Sequence, residues 1–291
     1  MDKRKILIQL DSDTHPSVFD RVVAVDAGAE EIFSYGGVKP EQVQGLVHGA
    51  IFTRGPKDLK YTAIFVGGSD VNAGEKLMAE ALKHMIPKFG LRVSIMLDAN
   101  GANTTAAAAV RAAGRHMNLK DAKAVGLGGT GPVGQRVARL LAREGAEVRV
   151  GSRQAAKAAA VCQEILARVP NAQLQPVGTA SEQEFVAALE GRTLVIAAGA
   201  AGVVLVSKAA RAACPSLQVA IDLNAVPPLG IEGVGVGDKG VTYHGVICYG
   251  AIGVGDTKMK IHKAAIASLF ESNDKVLDAE EIYQLASELE A

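Results

Sequence analysis

The sequence predicts an α/β protein with two doubly wound lobes and a ligand cleft between them. Three observations lead to this prediction. Short apolar runs alternate with stretches of helical periodicity along the chain, as in parallel sheets flanked by helices. The length of 291 residues is sufficient for two hydrophobic cores. The composition, 48% hydrophobic but only 4% aromatic and without Trp, suits layers packed with Ala, Val, Ile and Leu.

The periodicity predicts the elements of each lobe in order. The first lobe has strands at 5–10, 63–66 and 92–97 and helices at 17–27, 72–84 and 104–116. The second has strands at 124–127, 147–150, 194–198 and 218–222, and helices at 154–168, 181–189 and 206–213. Glycine-rich residues 229–255 are predicted as loops and short strands that close over the cleft.

The chain is expected to finish with helices over 258–270 and 279–290. Asp278 with Glu281 three residues later predicts a capping box at the start of the last helix. These elements divide the chain into a first domain at 1–117, a central domain at 118–255 and C-terminal helices at 256–291 that return to the first domain.

The most specific motif is Gly-Gly-Thr-Gly-Pro-Val-Gly at 128–134. It follows the apolar run 124–127 and opens a helical stretch, so it has the strand-before and helix-after context of a dinucleotide-binding turn. Its G-x-G-x-x-G glycines would allow a tight turn, close approach of a pyrophosphate and close packing of helix on strand. The expected cofactor-binding residues of this turn are Gly129, Thr130, Gly131, Pro132, Val133 and Gly134.

The end of the next strand predicts which dinucleotide binds. An acidic residue there would bind the ribose 2′-OH of NAD, but the sequence reads Gly151-Ser152-Arg153, with Lys157 one helical turn later. A hydroxyl and a guanidinium suit the 2′-phosphate of NADP. The alternative is that Arg153 is a solvated residue at a helix start. Further cofactor contacts are expected from the turns after the later strands, at Ala198, Gly199, Ala200 and Asn224.

Composition excludes several classes of function. Lys plus Arg and Asp plus Glu both number 31, so there is no basic field for nucleic acid or a membrane surface. No apolar run reaches the length of a membrane span, and the N-terminus leads into a strand rather than a signal peptide. The three cysteines are far apart and lack metal-ligand spacing. We expect a soluble, cytoplasmic protein without a metal site.

Polar turns follow the predicted strands at 11–14, 98–105 and 222–228, and a fourth polar segment covers 253–262. Such residues also cap helices and make turns, so each segment alone is equally well explained without a ligand. Together, at the carboxyl edge of the sheets, they favour a small-molecule site. The expected substrate-binding residues are Asp11, Asp13, Thr14, Asp98, Asn100, Asn103, Thr104, Lys258 and His262.

Motifs spread over nearly the whole chain resemble those of bacterial NADP-dependent methylene-tetrahydromethanopterin/methylene-tetrahydrofolate dehydrogenases. The resembling segments are Gln-Leu-Asp-Ser-Asp-Thr at 9–14, Pro-Ser-Val-Phe-Asp at 16–20, Ile-Phe-Thr-Arg at 51–54, Ala-Ile-Phe-Val-Gly-Gly at 63–68, Met-Leu-Asp-Ala-Asn-Gly-Ala-Asn-Thr-Thr at 96–105, Gly-Thr-Gly-Pro-Val-Gly at 129–134, Asn-Ala-Val-Pro-Pro-Leu-Gly at 224–230, Gly-Val-Gly at 253–255, and residues 258–262 and 269–272. The resemblance is closest to the branch that uses NADP strictly. It implies a pterin-binding first domain, an NADP-binding central domain and a homo-oligomer, with a trimer expected.

The resemblance implies reversible hydride transfer from the methylene bridge of a reduced pterin to NADP⁺. The positive charge moves from the nicotinamide to the pterin and no proton is removed, so no general base is required. Alignment of the two carbons can supply roughly 7–11 kcal/mol in favourable cases. Lys258 is the expected catalytic residue, contacting a carbonyl or carboxylate of the pterin. A solvated helix start is the alternative interpretation of Lys258, Lys260 and His262.

Two other functions remain open from the sequence. A shikimate-type NADP dehydrogenase would need a Lys–Asp pair, for which Lys60 or Lys258 with Asp98 is available. A pH–rate profile would separate the two enzymes, because carbonyl reduction needs proton transfer. A non-catalytic NADP-sensing module would keep the glycine turn but has no need of the polar turns. The sequence does not decide between the two pterins or the direction of the reaction.

Overall fold

The computed structural model describes residues 3–289 and divides the chain into two compact units. Unit 1 consists of the described parts of Met1–Thr104 and Met259–Ala291, and unit 2 is Thr105–Lys258. Within residues 3–289 no helix is both long and apolar enough to span a membrane.

The elements alternate between strand and helix for most of the chain. The strands are β1 (Ile6–Asp11), β2 (Glu31–Tyr35), β3 (Thr62–Gly67), β4 (Ser94–Leu97), β5 (Lys123–Leu127), β6 (Glu147–Ser152), β7 (Gln173–Gly178), β8 (Leu194–Ala197), β9 (Val219–Asp222), β10 (Lys239–Tyr243), β11 (Val246–Tyr249) and β12 (Val276–Leu277). The α-helices are α1 (Val18–Asp26), α2 (Val43–Ile51), α3 (Val71–Lys83), α4 (Ala102–Gly114), α5 (Pro132–Arg143), α6 (Ala155–Arg168), α7 (Glu182–Leu189), α8 (Lys208–Ala212), α9 (Ala251–Ser268) and α10 (Ala279–Glu288).

Unit 1 contains a parallel five-stranded sheet in the order β2-β1-β3-β4-β12. This is the 2-1-3-4-5 order of flavodoxin-like folds, in which the winding direction reverses between β1 and β3. The central strands β3 and β4 are buried along their whole length, as expected for strands covered by helices on both faces.

The C-terminal segment completes the sheet of unit 1. Strand β12 pairs with β4, and Ser94 Oγ donates a hydrogen bond to Ser272 O at 2.9 Å. Arg92 forms an ion pair with Asp274 at 2.9 Å. The capping box predicted for the last helix is confirmed, since Asp278 N donates to Glu281 Oε2 at 3.0 Å.

Unit 2 contains a seven-stranded sheet in the order β7-β6-β5-β8-β9-β11-β10. Only β10 is antiparallel, so the parallel strands follow the 3-2-1-4-5-6 order of dinucleotide-binding folds. Apolar strand residues such as Val125, Leu127, Val195 and Ala220 form the core with side chains of the neighbouring helices. The predicted α/β class with two doubly wound parallel sheets is confirmed.

The sequence patterns miss the edge strands β2 and β7 and the short helix α2. Residues 31–35 and 173–178 are only partly buried and mix polar with apolar side chains, so they lack the continuous apolar run of the central strands. Pro176 within β7 is tolerated because an edge strand leaves one side of its backbone unpaired.

The expectation that residues 229–255 are loops and short strands is wrong at its end, because α9 begins at Ala251. Two of the glycines here are required by backbone packing. A Cβ on Gly250 would lie 2.0 Å from Gly235 O, and one on Gly253 would lie 1.8 Å from Asp238 O. These two glycines therefore allow close approach of the helix start to residues 235–239, whereas Gly233, Gly240 and Gly245 have the positive φ angles of turns.

Both boundaries between the units lie inside helices, one in α4 and one in α9. The boundaries predicted from the sequence lie instead at 117/118 and 255/256. A helix that continues from one unit into the next has no Pro-rich or Gly-rich linker to mark the change.

Candidate functional site

The glycine-rich loop joins β5 to α5 at the carboxyl edge of the unit 2 sheet. Gly128 has φ +70°, so the residue with the left-handed turn conformation lies just before the G-x-G-x-x-G motif. Gly129 N donates to Gly151 O at 2.8 Å, which attaches the loop to the end of β6. A Cβ on Gly134 would lie 2.3 Å from Gly128 O, so α5 packs directly on the loop backbone.

Gly131 differs from its neighbours because it is the N-cap of α5 and the nearest atom to a Cβ there would be Gly128 O at 3.3 Å. It also lines the pocket described below, so it is accessible to a ligand at the N-terminus of a twelve-residue helix. The amide groups and dipole of such a helix end attract an anion, and Pro132 in the first helical turn lacks an N–H that would need a partner. The geometry fits a dinucleotide pyrophosphate.

A pocket of about 550 Å³ extends from this loop and lies wholly within unit 2. The predicted cofactor residues that line it are Thr130, Gly131, Pro132, Ser152, Arg153, Lys157, Ala198, Gly199 and Ala200. They come from the ends of β5, β6 and β8 and the residues that follow, where the strand order reverses. This is the edge at which open α/β sheets bind ligands.

The residues after β6 carry the positive charge of the pocket. Ser152 is buried, and its Oγ accepts from Gln154 N at 3.2 Å and lies 3.4 Å from Thr130 Oγ1. Arg153 and Lys157 are exposed, and within residues 3–289 neither side chain has a hydrogen-bond or ion-pair partner. Among the described residues that line the pocket none is Asp or Glu, so both cations are available to an anionic ligand.

Several lining residues were not predicted from the sequence. They are Gly128, Gln154, Thr179, Ala180, Phe185, Val203, Val204 and Leu205. Thr179 and Ala180 follow β7, which the sequence patterns do not identify. Phe185 in α7 and residues 203–205 after β8 add an apolar wall. Phe185, the aromatic residue in helix 182–189, was the available signal for this wall.

Four predicted cofactor residues do not line the pocket: Gly129, Val133, Gly134 and Asn224. The two glycines serve backbone packing. Asn224 shapes the turn after β9, where its Oδ1 accepts from Val226 N at 3.0 Å and its Nδ2 donates to Pro228 O at 3.4 Å.

Asp222 supports the same turn, accepting from Asn224 N at 3.0 Å and Ile231 N at 2.8 Å. Burial raises the pKa of this carboxyl group, and the backbone N–H donors partly oppose the rise. An ionised Asp222 is therefore costly in itself, and its hydrogen bonds to the backbone organise the loop.

In unit 1 the predicted polar residues Asp11 and Asp13 lie where the strand order reverses. Asp11 at the end of β1 is buried and accepts from Asp13 N at 2.9 Å and Ser17 N at 3.1 Å. Asp13 accepts from both the N and the Oγ of Ser69, each at 2.9 Å, and so joins the turn after β1 to the turn after β3. Thr14 on the same turn is exposed.

Asp98, after β4, is buried and organises the start of α4. One carboxylate oxygen accepts from Asn103 N and Thr104 N, both at 3.0 Å, and the other from Thr104 Oγ1 at 2.6 Å. Asn103 Nδ2 donates to Leu97 O at 2.6 Å and to Asp278 Oδ1 at 2.9 Å. The residues Asp98, Asn103 and Thr104 thus form one buried network in which capping is already satisfied.

Asn100 is the exposed member of this turn. It has φ 55° and ψ 19°, a left-handed conformation that Asn tolerates better than most residues, and its N donates to Gly68 O at 2.6 Å. Close by, Ser12 Oγ is buried without a hydrogen-bond partner among the described residues, and a Cβ on Gly68 would lie 2.3 Å from it. The strand ends of β1, β3 and β4 therefore form one polar edge with an open donor or acceptor.

Lys258 and His262 both lie in α9 but in different units, because unit 2 ends at Lys258. Lys258 is partly exposed and lies well inside the helix, so the interpretation as a helix start is wrong. His262 is fully buried, with its ring 5.8 Å from that of Phe65 and 6.2 Å from that of Phe19. This position excludes a solvated role for His262.

The capping role of Asp98 leads to a stability prediction. Asp98→Ala would leave the buried N–H groups of Asn103 and Thr104 unpaired, so we expect a loss of about 1–3 kcal/mol in the free energy of unfolding, measured with urea. Asp70→Ala, at the exposed cap of α3, is the matched control and should cost less. Unchanged stability with loss of pterin binding would instead identify Asp98 as a ligand-binding group.

The chain is similar to known proteins both in its first domain and over its whole length. A family model described as methylene-tetrahydromethanopterin dehydrogenase, N-terminal, matches residues 18–100. The bifunctional protein MdtA of Methylorubrum extorquens is 47% identical over 290 residues, covering 98% of this chain and 99% of that protein. The NAD(P)-dependent methylenetetrahydromethanopterin dehydrogenase of the same organism is 33% identical over 297 residues, with 98% and 99% covered.

Among solved structures, ligand-free 5-ketofructose reductase of Gluconobacter sp. strain CHM43 is similar, with a TM-score of 0.53, 15% identity and 99% of each chain covered. Quinate dehydrogenase from Corynebacterium glutamicum has a TM-score of 0.53 at 14% identity, covering 98% of this chain and 99% of that one. At such identities these two similarities show the fold alone. The family-model match and the full-length identity to two relatives show more: this chain belongs to the methylene-tetrahydromethanopterin dehydrogenase family, as its motifs indicated.

Proposed function

We propose that the chain is an NADP-dependent dehydrogenase of methylene-tetrahydromethanopterin, methylene-tetrahydrofolate or both. The reaction is reversible transfer of a hydride from the methylene bridge of the pterin to C4 of NADP⁺, which yields the methenyl pterin and NADPH. The observation that carries the choice of cofactor is the acid-free pocket at the glycine loop, with Arg153 and Lys157 exposed beside it. Family membership supports the choice of substrate.

The residues of unit 2 would hold the cofactor through backbone N–H groups and positively charged side chains. The open face of Gly131 and the N-terminus of α5 would bind the pyrophosphate, and Ser152, Arg153 and Lys157 the 2′-phosphate. The apolar wall with Phe185 would exclude water from one side of the pocket. When bound, the cofactor supplies the hydride acceptor, so the protein contributes position and environment.

The residues of unit 1 would hold the pterin through polar groups whose own positions are fixed. Asp13 is held by Ser69, and Asn100 is presented on a left-handed backbone. Such preorganised groups lose little entropy when a ligand binds. Four further residues would position these groups rather than contact the pterin, because their side chains already make hydrogen bonds within the protein: Asp11, Asp98, Asn103 and Thr104.

Charge conservation defines what the protein must do in the reaction. One cation is consumed as the other forms, and no proton leaves the reacting carbon. Catalysis therefore depends on alignment of donor and acceptor carbons rather than on a general acid or base. The shikimate-type alternative requires a Lys–Asp pair, but both carboxylate oxygens of Asp98 already accept hydrogen bonds from the start of α4.

The decisive experiment is an assay of the purified protein with NADP⁺ and NAD⁺ against both methylene pterins, following NADPH or NADH formation. We expect NADP⁺ reduction with at least one pterin and much weaker activity with NAD⁺. Reduction of NADP⁺ by a hydroxy acid such as shikimate, with neither pterin active, would refute the proposal. Binding of NADP⁺ without turnover of any of these substrates would favour a sensing module.

Replacement of Lys258 tests the proposed mechanism. If Lys258 contacts a carbonyl or carboxylate of the pterin, Lys258→Ala should weaken pterin binding and lower the rate but leave hydride transfer measurable. Loss of a general acid or base costs about 10²–10⁴-fold and alters the pH–rate profile. We therefore expect the pH–rate profile of Lys258→Ala to match that of the parent.

Lys260→Ala, at an exposed position two residues further along α9, is the matched control and should be nearly silent. Complete inactivity of a folded Lys258→Ala protein that still binds NADP⁺ and pterin would show that Lys258 takes part in proton transfer.

We further propose a cytoplasmic homo-oligomer, with a trimer as the expected state. Both statements come from the family resemblance and the neutral composition. Light scattering on the purified protein at several concentrations measures the assembly directly. A single monomer mass throughout would contradict it.

A further inference from the structure

A second pocket of about 600 Å³ lies in unit 2, separate from the glycine loop. Its walls are the C-terminal turn of α8, the segment 214–217 before β9, and the hairpin formed by β10 and β11. These segments belong to the amino edge of β9 and β11, whereas the cofactor pocket lies at the carboxyl edge of the sheet. The proposed reaction assigns no role to this pocket.

Arg211 lies in this pocket with an unusual environment. Its Nη1 atom is buried without a hydrogen-bond partner, and within residues 3–289 its guanidinium group has no hydrogen bond or ion pair. Gly233 lies beside the guanidinium, since a Cβ there would be 3.4 Å from Nη2. The Arg211 residue as a whole is half-buried, but a buried N–H group without a partner is costly, which indicates that a ligand or ordered water completes the site.

The rest of the lining contains no acidic side chain. Lys208 and His244 lie at the exposed rim, and no lining residue among those described is Asp or Glu. The acids nearby in the chain accept hydrogen bonds elsewhere: Glu232 accepts from Lys208 N at 2.9 Å, and Asp238 accepts from Gly235 N at 2.6 Å and Tyr243 Oη at 3.2 Å. With Arg211 and Lys208 as its charged lining residues, the pocket is complementary to an anion.

His244 is held at the rim by the hairpin turn. It is the first of two residues between β10 and β11, and it has φ 52° while Gly245 has φ 81°. A two-residue turn with two positive φ angles usually has Asn or Asp at the first position, and His is also enriched in this left-handed region. The turn therefore fixes the backbone that carries His244 beside the pocket.

We propose that this pocket binds a small organic phosphate. Arg211 would bind the phosphate through paired N–H groups, with Lys208 adding charge and His244 a ring nitrogen for hydrogen bonding at the rim. A dianionic phosphate matches the two charged groups, Arg211 and Lys208, better than a carboxylate does. The organic part would pack on Tyr243, Leu217 and Val246, because the volume of the pocket exceeds that of a free anion and lies within the usual range for small-molecule sites.

Calorimetric titration of the full chain with phenyl phosphate and with inorganic phosphate tests the proposal, at saturating NADP⁺ so that the cofactor pocket is occupied. The same titration in an Arg153→Ala background without NADP⁺ provides a check that does not depend on cofactor binding. We expect saturable binding that is tighter for phenyl phosphate. Arg211→Gln should weaken it by roughly 10- to 100-fold, the range for a lost charged hydrogen bond.

Lys260→Gln removes one exposed charge elsewhere and should leave phosphate binding unchanged. Arg211→Lys keeps the charge but not the paired donors, so it should retain part of the affinity, and thermal melting shows whether each variant is folded. Absence of saturable binding, or equal affinity of the parent and a folded Arg211→Gln protein, would overturn the proposal and leave water as the partner of Arg211. Equal affinity for the two phosphates would overturn the organic part of the assignment.

Discussion

Arg153→Ala is expected to lower kcat/KM for NADP⁺ by roughly 30- to 1,000-fold and to change the value for NAD⁺ by less than about threefold. The estimate corresponds to about 2–4 kcal/mol, the contribution of paired, charge-assisted hydrogen bonds to a phosphate. Only NADP⁺ carries the 2′-phosphate, so the loss should be selective. Arg153 is suited to this role because its side chain has no partner within residues 3–289 and no acid lines the pocket.

Initial-rate measurements with both cofactors provide the comparison, and two variants in the same pocket provide the controls. Lys157→Ala should cause a smaller selective loss, because a single ammonium group lacks the paired geometry of a guanidinium. Gln154→Ala should affect NADP⁺ and NAD⁺ alike, since it removes no charge. An equal loss for the two cofactors in Arg153→Ala would refute the assignment of the 2′-phosphate site.

Gly134→Ala is expected to reduce NADP⁺ affinity by more than about 100-fold and to destabilise the protein by about 1–3 kcal/mol, the usual cost of overpacking. The added Cβ would lie 2.3 Å from Gly128 O and 2.8 Å from Gly129 Cα, and both of these atoms belong to the backbone of the cofactor loop. A backbone atom cannot rotate away as the end of a side chain can. The loop would have to shift, together with the face that Gly131 offers to the pyrophosphate.

Without this clash a Gly→Ala substitution in a helix would stabilise the protein, because Ala is normally the better helix residue by about 1 kcal/mol. A loss of stability in Gly134→Ala would therefore be due to the contact with the loop backbone. Gly126→Ala in β5 is a matched control, since it is also buried but a Cβ there would meet nothing within 4 Å. It should leave the urea midpoint and NADP⁺ affinity close to those of the parent. If Gly134→Ala behaved in the same way, α5 would not pack on the loop as described.

Most of the cofactor residues predicted from the sequence line one pocket of unit 2 because their positions are determined locally. A strand, a glycine turn and a helix occur within a short stretch of chain, and the charge that we propose to select NADP lies at the end of the next strand. Phe185 and residues 203–205 escape prediction because they reach the pocket only through the pairing of β7 with β6 and the turn after β8. Such contacts depend on sheet order, which periodicity alone does not determine.

In unit 1 the sequence identifies polar turns after the strands but cannot divide their residues between structure and binding. Asp98 and Asn100 are two positions apart and chemically similar, yet Asp98 is buried in capping bonds whereas Asn100 is exposed on a left-handed backbone. His262 is likewise predicted from the sequence to bind the substrate together with Lys258, but it is fully buried against Phe65. The packing of α9 is what places His262 in the core and leaves Lys258 partly exposed.

The hydrogen bonds that join the C-terminal segment to β4 have a consequence for the order in which the protein is made. Synthesis proceeds from the amino end, so residues 3–104 leave the ribosome while β12, the strand that flanks β4, does not yet exist. Until then β4 has an unpaired edge, and Asn103 lacks its bond to Asp278. Unit 1, whose synthesis begins first, is therefore completed last, after the whole of unit 2 has been translated. During this interval the unpaired edge of β4 is accessible to chaperones or to mispairing with another nascent chain.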